Sequence, residues 1–84
     1  MTDNEFDVLD ELYFVQPFNS ILEETQLAES ELKEVLSGLL SKGWVKCYGD
    51  RQAEMPIALS ELGNDLTSYF YLATKEGLLV HNGR

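Results

Sequence analysis

The residues able to do proton, covalent or metal chemistry are few and scattered. His81 is the only histidine of the 84 residues, too isolated for a Ser-His-Asp set or a metal-ligand pattern. Cys47 is the only cysteine, which excludes an internal disulfide and a multi-cysteine metal site. It falls inside the alternating stretch WVKCY, on the same face as Val45, where a free thiol behaves as a small buried hydrophobe. The adjacent carboxylates Asp10-Glu11 and Glu23-Glu24 diverge by about 100° on a helix, so neither pair shares a site. Gly43, Gly49, Gly63, Gly77 and Gly83 are dispersed, not gathered into a phosphate-cradling loop. These residues point away from an enzyme. No catalytic residue, metal ligand, cofactor or small-molecule site is assigned.

Charge is the next feature. Fifteen Asp and Glu stand against six Lys and Arg, a formal net charge of −9. Asp3, Glu5, Asp7, Asp10, Glu11, Glu23, Glu24, Glu29, Glu31 and Glu34 all precede residue 35, where Lys33 is the only base; beyond it acids and bases balance. Such a field favours solubility and slows approach to nucleic acid or an anionic membrane. It also suits docking of a basic partner. No apolar run approaches the roughly 18 residues of a membrane span, and the acidic start MTDNEFD is unlike a secretory signal. The expected place is the cytoplasm, and the expected organisation is one domain over residues 1–84.

The elements follow from apolar spacing. NEFDVLDELYFVQP predicts a first helix, capped by Asp3 or Asn4 and ended by Pro17. Val8, Leu9, Leu12, Tyr13 and Val15 fall on its apolar side, and Asp7, Asp10 and Glu11 on an acidic stripe that includes Phe14. Ser20 and Glu23 stand at capping-box spacing before a short helix over 21–25. Leu32, Val35, Leu36, Leu39 and Leu40 predict a third helix with a strong buried stripe, stopped by Gly43. WVKCY then predicts a strand. Residues 49–66 hold turn formers around a short apolar run and allow a strand or one helical turn from Ser60. SYFYLAT predicts a strand pairing with WVKCY, exposing at least one aromatic, and Thr74 caps a last helix, KEGLLVHN. One helix over 60–72 is the rival reading.

ILEETQLAESELKEVLSGLLSKGWVKCY, with Leu40, Gly43 and Val45 as its L-x-x-G-x-V step, resembles the core of winged helix-turn-helix regulators of the multiple-antibiotic-resistance repressor kind. YLATKEG resembles the step that follows the wing in them. The resemblance implies an α+β winged helix: a three-helix core, a small antiparallel β wing and a short C-terminal helix. It also implies a DNA-reading third helix, with Lys33, Lys42, Lys46 and Arg51 as the candidate DNA contacts. The chain departs from the pattern at Gln26, where a turn glycine is usual, and at Ala28, in a capping position. The outward face of the third helix carries Ser30, Glu34, Ser37, Gly38 and Ser41 and no Arg, Asn or Gln, whereas DNA readers need base-edge donors and phosphate-binding cations. The expected function is therefore a non-catalytic protein-interaction or regulatory module. Its candidate contacts are Asp7, Asp10, Glu11, Phe14, Glu34, Ser37, Gly38 and Ser41, and its expected partner is an unidentified, basic protein. DNA-binding transcription regulation is the alternative.

Overall fold

The computed structural model describes residues 1–83. Its first helix, α1 (Asp3–Asp10), opens with a capping box. The Thr2 hydroxyl accepts from Glu5 N at 3.1 Å, and the Glu5 carboxylate accepts from Thr2 N at 2.9 Å. The cap is thus Thr2, not Asp3 or Asn4. The expected run to Pro17 also fails, because the helix closes after Asp10 with Glu11 N and Leu12 N bonding back to Val8 O and Leu9 O. Sheet pairing wins here. Leu12 O accepts from Ala73 N at 2.9 Å, and Gln16–Pro17 (β1) pairs antiparallel with Phe70–Ala73 (β3). Pro17 is tolerated because β1 is an edge strand. In consequence Tyr13 and Phe14 leave the helical pattern and are exposed, Phe14 at 77 %, and Val15 is half-buried.

The second helix, α2 (Phe18–Thr25), starts directly after Pro17, so Ser20 lies inside it and the Ser20–Glu23 box does not form. Phe18 and Ile21 are its buried residues. It ends at Gln26 with φ of +62°, a left-handed conformation that glycine adopts without strain. The Gln26 amide donates to Glu23 O at 2.7 Å and its backbone N–H to Leu22 O at 3.1 Å, which holds it there.

The third helix, α3 (Glu29–Lys42), has the expected stripe: Leu32, Leu36, Leu39 and Leu40 are buried and Val35 is half-buried. Ala28 offers no side-chain cap, but Glu31 accepts from Ala28 N at 3.1 Å. At the other end Gly43 has φ of +76°. Its N–H bonds Leu40 O while Trp44 N bonds Leu39 O, the paired bonds of a Schellman stop.

Val45–Tyr48 (β2) pairs antiparallel with β3, giving the strand order β1-β3-β2. Val45, Cys47, Tyr71 and Ala73 face the helices and complete one core with Val8, Leu9, Leu12, Phe18, Ile21 and the α3 leucines. Between β2 and β3 the chain forms neither a strand nor the rival helix over 60–72. Ile57 N bonds Cys47 O at 2.8 Å along the outer edge of β2. Two 3-10 turns follow, Leu59–Glu61 and Leu66–Ser68. Two tyrosines pin this segment: Tyr69 Oη accepts from Gly63 N at 2.9 Å, and Tyr71 Oη donates to Leu66 O at 2.6 Å. Phe70, on the opposite face, lies half-buried under the Arg51 guanidinium.

Thr74 caps the last helix, α4 (Lys75–Asn82), as expected. Its hydroxyl accepts from Gly77 N at 3.1 Å and donates to Gly43 O at 2.7 Å, and its N–H donates to Trp44 O at 2.9 Å. The architecture of the described residues is α+β: four α-helices and a small three-stranded antiparallel sheet. No helix of the described residues is long and apolar enough to cross a membrane.

Candidate interaction surface

Burial of the leucine stripe turns Glu34, Ser37, Gly38 and Ser41 outward along α3, Gly38 half-buried and the others exposed. This ridge separates two concavities of different chemistry. On one side Glu34, Val35 and Gly38 meet Thr2, Asn4 and Glu5 of the first helix start, with Glu31 and Lys42 at the ends of the cleft. On the other side Ser37, Leu40 and Ser41 face Leu59, Leu62, Gly63, Asn64 and Leu66 across a groove of about 310 Å³. The first is acidic. The second is lined by four leucines.

The candidate cations are mostly engaged within the chain. Lys42 Nζ lies 2.5 Å from the Glu5 carboxylate and 4.7 Å from the centre of the Trp44 ring. This Lys42 hydrogen bond, helped by the Thr2 N–H, holds the Glu5 carboxyl below the usual carboxylate range. Lys33 pairs with Glu29 at 3.7 Å, one turn back along α3. Arg51 donates to Val15 O at 3.2 Å and covers Phe70. Lys46 is half-buried on β2. Phosphate binding draws on Lys and Arg charge, and of these four Lys42 and Arg51 hydrogen-bond within the fold while Lys33 makes an exposed ion pair.

The acidic stripe of α1 lies elsewhere. Asp7, Asp10 and Glu11 line a small cleft with Glu24 and Thr25 at the end of α2. Burial, reinforced by Glu24 and Asp10, pushes the Glu11 carboxyl above its usual range. The eight candidate protein contacts therefore fall into separate places. Glu34, Ser37, Gly38 and Ser41 form the α3 ridge, Asp7, Asp10 and Glu11 line the α1–α2 cleft, and Phe14 stands in the bend before β1.

Comparisons with protein-family models, curated proteins and solved structures give no match.

Local geometry thus carries the reading. His81 is less isolated than its sequence position implies: it is 9 % exposed, stacked on Phe6 with ring centroids 4.3 Å apart. Its Nδ1 is 2.9 Å from the Tyr13 hydroxyl, which also donates to Asn82 at 2.7 Å. Nε2 lies 3.2 Å from Asp10 Oδ1 but outside hydrogen-bond alignment. This cluster ties α4 to α1. Cys47 is fully buried, and burial pushes its thiol up to about 11, which leaves it neutral and a poor nucleophile at physiological pH. No three His, Cys, Asp or Glu among the described residues are placed to hold a metal ion.

Sequence reasoning missed Leu59, Leu62 and Leu66 as surface-forming residues. Their spacing of three and four is visible in the sequence, but the turn formers that crowd residues 49–66 mask any shared face. The Tyr13–His81 contact had no sequence signal, since 68 positions separate the pair.

Proposed function

We propose that this chain is a non-catalytic winged-helix domain that binds another protein through the outer face of α3. The order helix, strand, helix, helix, strand, strand, with β3 between β1 and β2, supports the winged-helix reading. In it the segment between β2 and β3 takes the place of the wing. The observation that carries the function is the groove between α3 and that segment, whose leucine lining suits an apolar side chain and not a phosphate. The DNA reading has weaker support, because Lys42 and Arg51 hydrogen-bond within the chain, Lys33 pairs with Glu29, and Glu31 and Glu34 lie on the helix that would enter the groove of a duplex.

A photo-crosslinking residue at Ser41, compared in cells with one at exposed Glu76 on α4, tests the proposal alongside a low-salt titration with random-sequence duplex. Protein adducts specific to Ser41 and an unshifted amide spectrum with DNA are expected. Shifts at Lys33, Lys42, Lys46 and Arg51 that vanish steeply with salt would overturn it.

A further inference from the structure

The groove also constrains the chemistry of its occupant, an inference that rests on the protein-binding reading above. Leu40, 6 % exposed, is its floor; Leu62 and Leu66 are half-buried walls; Leu59 stands at the lip, 54 % exposed. Burying one leucine-sized side chain in such a place is worth about 1.5–3 kcal/mol.

Carboxylates interleave with these leucines. Glu61 lies between Leu59 and Leu62, Asp65 between Asn64 and Leu66, and Glu34 on the facing ridge, all exposed. The Thr67 hydroxyl and backbone N–H hold the Asp65 carboxyl below its usual range, with the Lys33 charge nearby. Lys33, which also pairs with Glu29 at 3.7 Å, offsets part of this charge, so Glu34, Glu61 and Asp65 leave the surroundings of the groove net negative. Beyond the ridge lies a second acidic wall, Glu31 and Glu34. Ser37, Gly38 and Ser41 keep the ridge low, so a segment crossing it reaches both concavities.

We infer that the groove receives a cationic amphipathic segment of another protein. An apolar side chain sits among Leu59, Leu62 and Leu66, and flanking Lys or Arg side chains lie over Glu34, Glu61 and Asp65. Charge complementarity selects this occupant over an anionic one, since the chain carries −9 overall and Glu31 and Glu34 line the cleft across the ridge from the uncharged groove.

Selection of phage-displayed random peptides on the intact chain tests it. Enriched peptides should be net positive, with apolar residues at helical i, i+3 or i+4 spacing. Synthetic copies should move the amide signals of Ser37, Ser41, Leu59 and Leu62. Leu59→Ser should weaken binding about tenfold or more, and Glu61→Lys should weaken it in a salt-dependent way. Both residues are exposed, so an otherwise unchanged amide spectrum verifies the fold. Enrichment of acidic or uncharged peptides would overturn the inference. So would no enrichment, indifference to both substitutions, or shifts confined to Asp7, Asp10 and Glu11. If Ser41 crosslinks still capture a protein while cationic peptides avoid the groove, this occupant falls and the protein-binding reading stands. Duplex-induced shifts along α3 would remove both.

Discussion

Gly77 and Gly38 are both helical glycines, and they differ in what the fold asks of them. At Gly77, where α4 crosses the end of α3, a Cβ would stand 2.1 Å from Trp44 O and 2.9 Å from its carbonyl carbon. At Gly38 a Cβ would meet nothing within 4 Å. A mid-helix glycine costs roughly 0.5–1 kcal/mol relative to alanine. At Gly77 that cost is offset by close packing of two backbones, whereas at Gly38 nothing within the chain offsets it. The α3–α4 junction is shaped by folding alone. The outer face of α3 tolerates a residue that folding would replace.

The largest effect expected from this contrast is at the junction. Gly77→Ala should destabilise the protein by about 3 kcal/mol, the upper end of what overpacking usually costs, because the obstructing atoms are backbone and cannot rotate away. Urea unfolding followed by the Trp44 signal measures it. A loss below about 0.5 kcal/mol, the range of ordinary surface changes, would mean that the two backbones are not in contact and would dissolve the contrast.

Thr74→Val comes next. The hydroxyl both caps α4 and donates to Gly43 O, so its loss leaves an N–H and a carbonyl without that partner. The expected cost is about 1–2 kcal/mol by the same unfolding assay. Thr74→Ser should recover most of it. If serine is as damaging as valine, methyl packing and not the hydroxyl secures the junction.

These junction residues show how far the sequence could be read. Gly43 as helix stop, Thr74 as cap, the α3 stripe and the β2–β3 pairing were all legible because each is a local signal: a turn residue, a capping residue, a period of 3.6 or 2. The end of α1 was not. Helical periodicity continues through Tyr13 and Val15, and only pairing of residues 16 and 17 with a strand more than fifty positions later ends it. The α3 part of the candidate surface was legible because its outward residues are the complement of the buried stripe. Its other wall was hidden, since the positions of Leu59, Leu62 and Leu66 depend on Tyr69 and Tyr71 anchoring the segment from β3.

On the outer face the sign reverses. Gly38→Ala should stabilise the chain by roughly 0.5–1 kcal/mol, while Gly38→Gln should leave folding intact and weaken binding of whatever crosses the ridge. A destabilising alanine would mean that α3 needs the glycine after all, and the contrast with Gly77 would disappear.

The smallest effect concerns Glu5, where α1 and the outer cleft of α3 are linked. Its carboxyl is held below the ordinary value of 4.5, first by the Lys42 hydrogen bond and then by the Thr2 N–H. A depressed carboxyl contributes stability above its unfolded-state value and loses it as pH falls through the folded-state value. Glu5→Gln retains an oxygen able to accept from Thr2 N but removes the charge facing Lys42. It should therefore cost less than about 1 kcal/mol at pH 7, because Lys42 is partly exposed and solvent screens the pair. The difference between wild type and variant should close as pH falls below 4.5, and should shrink at neutral pH on adding salt. Parallel stability curves for the two proteins across that acid range would show that the ion pair adds nothing, leaving the capping bonds alone to hold α1 at the edge of the cleft. The same substitution releases Lys42 into the acidic cleft. A cationic peptide reaching across the ridge should then bind more weakly, whereas one confined to the leucine groove should be unaffected.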